Sequence, residues 1–239
     1  MKKVSQEIIK ELNGGQREAS NLMESLAVDV KILLRHVLPA FDFPALPASL
    51  GITQKHRLIA AELQKQFGFM LFESLKIHAS DTVRTLACCL LGEQPFSFAE
   101  KLALVRPLAD DHHAGVREWA WMAIREDCTA ALAHAITLLI PWTAAPSHNI
   151  RRFASELTRP RGVWCKHIRA LREQPWLGLP ILLPLRSDPA KYVQLSVGNW
   201  LNDAGKDHSK WVKDLCAAWA EISRTKDTAK ICKRAMRNL

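Results

Sequence analysis

The sequence predicts an all-α protein, a right-handed α-solenoid built from HEAT-like helix pairs. Two observations predict this fold class. Apolar residues return at helical spacing along nearly the whole chain, and no stretch shows the recurrent alternation of a β-strand. In addition, a helical segment recurs at intervals of 33 to 43 residues. That interval is typical of helix pairs that stack on their neighbours and share one core.

The repeat is seen in the second helix of each pair. The segments "DTVRTLACCLL", "AGVREWAWMAI", "HNIRRFASELT" and "KYVQLSVGNWL" align, with "DTAKICKRAMR" as a weaker fifth, and each follows another apolar helix. We therefore expect residues 1–239 to form one curved repeat domain, with capping helices in 1–70 and recognisable repeats in 71–239. The anchor residues, at steps of 33, 34, 43 and 36, are Val83, Val116, Ile150, Val193 and Ala229.

Composition excludes several classes of protein. The chain has 239 residues, 48% of them hydrophobic, but no apolar run of signal-peptide length and none long enough to span a bilayer. We therefore expect a cytoplasmic protein. The six cysteines form no Cys-x-x-Cys pair, which favours reduced, buried thiols over a zinc site. The run of residues 110–113, "DDHH", is interpreted as a polar loop, and no metal or cofactor is expected.

The net charge of +9 is unevenly distributed. Residues 150–239 contain 18 Lys and Arg against 8 Asp and Glu, whereas residues 1–149 contain 15 against 16. The whole excess of positive charge therefore lies in the C-terminal part of the chain. Such an excess is expected of a surface that binds a polyanion, although many basic surfaces are simply solvated.

Three acids share one stripe of the repeated helix. Counted from the anchors, Glu118 is at +2, Glu156 at +6 and Asp203 at +10, positions that differ by one helical turn. Adjacent parallel helices would then place these acids on a diagonal, with the basic residues beside them. The alternative is ordinary ion pairing, in which each acid has only a structural role. The partners would be Arg117 or Arg151 for Glu118 and Arg152 or Arg159 for Glu156, whereas Asp203 would cap a helix end near Lys206.

Three motifs carry a family resemblance over roughly residues 70–238. The segments "IRRFASELTRPRGVW" (150–164) and "YVQLSVGNWLNDAGKDH" (192–208) resemble signatures of the AlkC branch of the HEAT-like DNA alkylation-repair glycosylases, the AlkC/AlkD family. The segment "VREWAWMAIR" (116–125) is similar to a third. The resemblance implies a monofunctional glycosylase that removes cationic alkylated bases from double-stranded DNA without flipping them fully out of the helix. The implied substrates are N3-methyladenine, N3-methylcytosine and N7-methylguanine.

The same resemblance implies roles for individual residues. Glu118, Glu156 and Asp203 match the acidic catalytic residues, and Trp164 matches the aromatic residue that contacts the lesion. The basic residues that match positions on the concave, DNA-facing surface are Arg152, Arg159, Arg161 and Lys206.

The chain departs from the AlkC pattern at several positions. Leu157 replaces a glycine, Gly162 and Val163 replace Leu-Pro, Gln194 and Leu195 replace a basic pair, and Trp200 replaces a smaller polar residue. We also expect no immunoglobulin-like domain after the repeats. A monomer is expected. These differences leave a non-catalytic protein that binds bent or branched DNA as the alternative, with a HEAT protein-interaction scaffold as a third interpretation.

Overall fold

The computed structural model describes residues 4–47, 49–162 and 164–239. Every regular element within these ranges is helical, as the sequence predicts. By its internal contacts the chain forms two compact units. The first unit comprises the residues up to Phe96 together with Ala103–Ala123, and the second comprises Ser97–Leu102 and Ile124–Leu239. Val163, one of the positions that departs from the AlkC pattern, lies outside the described residues.

The first unit is organised around its sixth helix. Its elements are α1 (Gln6–Asn13), α2 (Leu22–Ala27), α3 (Val30–Val37), α4 (Ile52–Phe67), α5 (Leu71–Leu75), α6 (Asp81–Gly92), the second half of α7 (Phe98–Ala109) and α8 (Ala114–Ala123). Helix α6 packs against α4, α5 and α8, and all of its residues from Asp81 to Leu91 are buried. A helix that is buried on all sides defines the centre of its unit.

The second unit is built in the same way around α14. It contains the start of α7, α9 (Arg125–Ala130), α10 (Leu132–Leu139), α11 (His148–Leu157), α12 (Arg169–Glu173), α13 (Leu179–Leu185), α14 (Lys191–Gly205), α15 (Ser209–Ile222) and α16 (Lys226–Ala235). Short 3-10 turns lie at Ile140–Ala144 and Pro175–Gly178. Helix α14 packs against α11, α13, α15 and α16.

The repeat predicted from the anchor residues is confirmed at the level of the helices. Helices α6, α8, α11, α14 and α16 begin at or within one residue of the five aligned segments. The apolar spacing of residues 17–37 predicts one continuous helix there, and this prediction is wrong, because polar side chains cap two separate helices. The Asn21 side chain accepts a hydrogen bond from the Glu24 amide, and Asp29 accepts from the amides of Lys31 and Ile32.

Within the part of the chain that the structure describes, no helix is long and apolar enough to cross a membrane.

Candidate active site in the second unit

Glu156 is buried at the contact between α11 and α14. Ser147 caps the start of α11, and the apolar face of this helix turns Ile150, Phe153 and Leu157 into the core. Glu156 is only 4% exposed. Its Oε2 accepts a hydrogen bond from the Ser196 hydroxyl of α14 at 2.7 Å. A buried carboxylate is therefore fixed in position by the neighbouring repeat helix.

Arg159 joins Glu156 to the second predicted acid of this unit, Asp203. Its Nη1 donates to Glu156 Oε1 at 2.7 Å, while its Nε and Nη2 donate to Asp203 Oδ2 at 2.9 and 2.8 Å. The structure thus brings two of the three predicted acids together around one guanidinium. Ser196, which holds Glu156, is a contact that sequence reasoning missed. It lies at +3 from its anchor Val193 and is only 2% exposed.

The two acids are electrostatically different. Burial works to raise the pKa of Glu156, but Arg152, Arg159 and the two hydrogen bonds outweigh it and hold that pKa below its usual value. For Asp203 burial prevails over Arg159 and Lys206, so its pKa is raised. Burial favours a lower pKa for Arg159, but the two carboxylates outweigh this and raise it. Glu156 is consequently the more firmly ionised of the two acids.

Two other predicted basic residues lie beside the acid pair. Arg152 Nη2 is 3.4 Å from Glu156 Oε2, and its guanidinium lies over the Tyr192 ring at 4.3 Å from the centroid. Lys206, which is half exposed, places Nζ 3.7 Å from Asp203 Oδ1, beyond hydrogen-bond distance. Oδ1 therefore faces the Lys206 ammonium without accepting a hydrogen bond from it.

Arg161 belongs to a separate group of ion pairs. Its Nη2 donates to both carboxylate oxygens of Asp207 at 2.7 and 2.9 Å, and Arg172 donates to the same carboxylate. The hydrogen bond from Arg172, together with Arg161, lowers the pKa of Asp207 to about 2. A phosphate that binds Arg161 would have to compete with this firmly ionised aspartate.

The third predicted acid, Glu118, lies in the first unit. It is on α8, and its Oε2 accepts a hydrogen bond from Trp121 Nε1 at 2.9 Å. Trp121 is itself buried, with 3% exposure. The pairing of Glu156 with Asp203 through Arg159 is observed, whereas the diagonal of three acids stays a prediction.

The loop after α11 is held by Arg125, a residue that sequence reasoning missed. Its guanidinium donates to the carbonyl oxygens of Leu157 and Arg159 at 2.6 Å each and to that of Lys166 at 3.3 Å. The sequence offered one sign of its role, because Arg125 is a cation that directly follows the apolar run "WAWMAI". Gly162 lies against this clamp, where a Cβ would be 2.3 Å from Cys165 Sγ. Only glycine fits there without displacing a neighbour.

Trp164 stands in a strained conformation on the same loop. Its φ of +68° lies in the left-handed region that side-chain-bearing residues seldom adopt, and its indole is 76% exposed. Strain of this kind persists only where the surrounding structure enforces it, and it is found preferentially at functional sites. Trp164 is thus an exposed aromatic ring presented by a clamped loop.

We expect Arg125→Met to destabilise the protein by about 2–4 kcal/mol, because a buried charged donor serves three carbonyl oxygens. The free energy of unfolding in urea, followed by circular dichroism, measures this. Arg169→Met is the matched control, since Arg169 is 89% exposed and pairs only at the surface with Glu173. The control should leave the free energy of unfolding nearly unchanged, because an exposed ion pair contributes little to stability. Equal effects in the two variants would show that the clamp has no structural role.

Acids and a histidine also meet in the first unit, where Glu18, Asp111 and His112 lie close enough to share an ion. Both carboxylates, however, are paired with the buried guanidinium of Arg84, which binds Asp111 through Nε at 2.7 Å and also contacts Glu18. A metal ion would have to displace a buried arginine from both acids. The arrangement favours a structural group of ion pairs.

Solved structures of other proteins share this fold. No protein-family model matches the sequence. The chain superposes on Pseudomonas fluorescens AlkC, an alkylpurine DNA glycosylase bound to DNA containing an abasic site analog. The TM-score is 0.68 with 23% identity, over 97% of this chain and 62% of that one. The chain has the fold of the AlkC/AlkD glycosylases. It also matches AlkD2 from Streptococcus mutans, with a TM-score of 0.65, 22% identity and coverage of 83% of this chain and 94% of that one.

A curated relative matches part of the sequence. The uncharacterized protein YhaZ of Bacillus subtilis is 40% identical over 84 residues, which is 35% of this chain and 24% of YhaZ. The chain therefore spans less than two thirds of the length of both YhaZ and AlkC.

The departures from the AlkC pattern are mostly matters of packing. Leu157 and Trp200 are fully buried, and Gln194, with 5% exposure, donates to the Asp188 carbonyl. Trp200 Nε1 donates to the carbonyl oxygen of Thr158 at 2.9 Å, which ties α14 to the end of α11. The ring fits only because position 178 is glycine, since a Cβ added there would lie 2.4 Å from the Trp200 ring. These substitutions alter the core of the AlkC-like fold and leave Glu156 and Asp203 in place.

Proposed function

We propose that this protein is a DNA glycosylase that hydrolyses the N-glycosidic bond of cationic alkylated bases in double-stranded DNA. N3-methyladenine is the principal proposed substrate, and N3-methylcytosine and N7-methylguanine are further candidates. The observation that carries the proposal is the buried pair of Glu156 and Asp203 around Arg159, in the basic part of a chain with the AlkC/AlkD fold. The protein would act in base excision repair, as a monomer and without a cofactor.

The reaction requires ionised carboxylates rather than a general acid that protonates the leaving base. A base alkylated at N3 is already positively charged, so the leaving group needs no protonation. The enzyme instead stabilises the positive charge that develops on the deoxyribose and positions a water molecule. We assign the water to Asp203, because its Oδ1 faces Lys206 at 3.7 Å while its Oδ2 takes both hydrogen bonds from Arg159. Glu156 holds Arg159 and adds negative charge, and Glu118 is proposed as the third acid.

Trp164 would contact the damaged base while that base remains in the DNA helix. An exposed indole face attracts a cationic base by about 0.5–2 kcal/mol through the cation–π interaction. A ring that already stands in solvent can meet a base at the DNA surface, which suits excision without full base flipping.

The proposed DNA contact in this unit includes a basic cleft between α14 and α16. Arg152, Arg159, Arg161 and Lys206 would hold phosphates close to the lesion, and the cleft would hold phosphates farther along the strand. Cationic side chains lie close together in this cleft. Burial lowers the pKa of Arg237, and the positive charge of Arg234 lowers it further. The basic residues of the cleft are Lys191, Lys230, Lys233, Arg234 and Arg237.

The test is release of free base from methylated DNA, resolved by chromatography. Wild-type protein is expected to release N3-methyladenine and to leave abasic sites that alkali cleaves. The alternative function, binding of bent or branched DNA without chemistry, is favoured by one observation. Arg159 occupies oxygens of both carboxylates, as in a purely structural ion pair. DNA binding with no base released would establish that alternative and end the catalytic proposal.

Replacing Trp164 by glycine is expected to separate function from stability. Excision should fall by about 3- to 30-fold, because the cation–π contact is lost. Stability should change by less than about 1 kcal/mol, since relief of the positive φ offsets the entropy that glycine adds to the unfolded chain. Trp164→Phe, which keeps an aromatic face, is the matched control and should lose less activity. Single-turnover base release and urea unfolding measure the two effects, and an unchanged excision rate would exclude Trp164 as a lesion contact.

A further inference from the structure

The first unit contains a cavity with mainly apolar walls, and none of its lining residues belongs to the acid pair. It has a volume of ≈ 580 Å³ and lies where the starts of α4, α6 and α8 meet the segments around residues 25–31 and 43–46. Leu26 and Ile52 line it and remain exposed, at 53% and 39%. Apolar side chains thus continue from the wall to the surface, which favours a ligand with apolar faces.

Aromatic rings form part of this wall. The rings of His56 and Trp119 lie side by side, with centroids 4.7 Å apart and planes inclined at 43°. Phe43 adds a third ring to the lining. Flat aromatic surfaces gain most from another flat ring, placed offset or edge-on.

His56 is a buried polar group whose hydrogen bonding is incomplete. It is 5% exposed, and its Nδ1 has no hydrogen-bond partner among the described residues. Burial lowers the pKa of His56 to about 4, so the imidazole is neutral at neutral pH and can accept a hydrogen bond at one nitrogen and donate at the other. A buried polar atom without a partner costs free energy, and a bound polar ligand can recover it.

The charges around the cavity balance. Lys31 and Lys55 line it together with Asp29 and Asp81. Both carboxylates are engaged with backbone amides, Asp29 at the start of α3 and Asp81 with the amide of Ala19. The lining therefore has no excess of either sign that would favour a charged ligand.

We propose that this cavity binds a small, neutral, planar heteroaromatic molecule, which stacks against Trp119 and completes the hydrogen bonding of His56. A free purine base has this chemistry, with flat apolar faces and ring nitrogens at its edge. The proposal does not depend on the glycosylase function, because it rests on residues of the first unit alone.

Adenine is the probe, titrated into the full-length protein by isothermal calorimetry. Saturable binding is expected, with His56→Phe about tenfold weaker because one hydrogen bond is lost, and Trp119→Leu about fivefold weaker. Leu58→Ser is the matched control on α4. Leu58 is exposed and does not line the cavity, so binding should be unchanged. Indene, a flat hydrocarbon, should bind His56→Phe at least as well as wild type.

Two further measurements keep the proposal testable if a variant fails to fold. In the wild type, the nitrogen NMR signals of the His56 ring should shift on addition of adenine. A titration with the nucleotide dAMP distinguishes a site for a free base from a site for a phosphorylated one. We expect dAMP to bind no more tightly than adenine. The proposal is overturned if adenine does not saturate, if the His56 signals stay in place, or if dAMP binds more than tenfold tighter, which would make the cavity an anion site.

Discussion

Asp203→Asn is expected to lower the rate of base release by about 100-fold or more, the usual effect of removing a group aimed at charge that develops in the transition state. The substitution keeps the shape of the side chain and its ability to accept from Arg159, but it removes the negative charge. Single-turnover release of N3-methyladenine measures the chemical step apart from product release. Binding of unmodified DNA at low salt should change by less than about threefold, because phosphate contacts come from the basic residues.

Two matched variants test whether this effect is specific to Asp203. Glu156→Gln should lower the rate by a smaller factor, because Glu156 holds Arg159 and α14 in place and is assigned no water. Asp214→Asn should leave the rate unchanged, since Asp214 is 62% exposed and pairs with Lys210 at the surface. If Asp203→Asn releases base at the wild-type rate, Asp203 is not the catalytic carboxylate.

The rate–pH profile distinguishes a catalytic Asp203 from a structural one. The carboxylate must be ionised to act, so the rate should fall as the pH drops through its pKa. Burial raises that pKa above the ordinary 3.8, which places the acidic limb at a higher pH than for an exposed aspartate. In Asp203→Asn the residual rate should lose this limb. A purely structural role would leave the limb in the variant.

The sequence was sufficient where the signal is local or periodic. The apolar spacing of α6, α8, α11, α14 and α16 repeats with the anchors, and the same register correctly placed Glu156 and Asp203 on neighbouring helices. This works because the side-chain direction on a helix follows from position alone. The split of residues 17–37 was missed because Asn21 and Asp29 cap helices only in a particular backbone geometry.

What the sequence could not supply is the choice among possible partners. Arg152 and Arg159 were both candidate partners of Glu156, but only the fold shows that Arg159 also reaches Asp203, 44 residues away. Arg125 was unremarkable because its three acceptors are backbone carbonyls, which any residue supplies. The strain at Trp164 is a backbone property that the residue type does not reveal.

Removal of Arg159 is expected to have the largest effect on stability. Arg159→Met leaves Glu156 and Asp203 buried without the guanidinium they share, and breaking a buried ion pair in this way costs about 3–5 kcal/mol. Urea unfolding at pH 7 measures the loss. Lys210→Met, which breaks an exposed pair with Asp214, is the control and should cost less than about 1 kcal/mol.

The pH dependence of this loss follows from the same charges. In the wild type the pKa of Glu156 is below its unfolded value, so its contribution to stability is present above that value and is lost as the pH falls through the folded pKa. Without Arg159 we expect the folded pKa of both acids to lie above their unfolded values. The variant then binds protons more tightly when folded and becomes more stable, relative to wild type, as the pH falls. The difference in unfolding free energy should therefore shrink between pH 7 and pH 4.

A triple variant separates the unpaired acids from lost packing. Adding Glu156→Gln and Asp203→Asn to Arg159→Met removes the buried charges, and much of the lost stability should return. If the triple variant is no more stable than Arg159→Met, the loss comes from the packing of the Arg159 side chain. The triple variant also tests the function. We expect it to regain stability and to bind DNA but to release no base. That result would show that the three buried charges serve the chemistry and lower the stability of the fold.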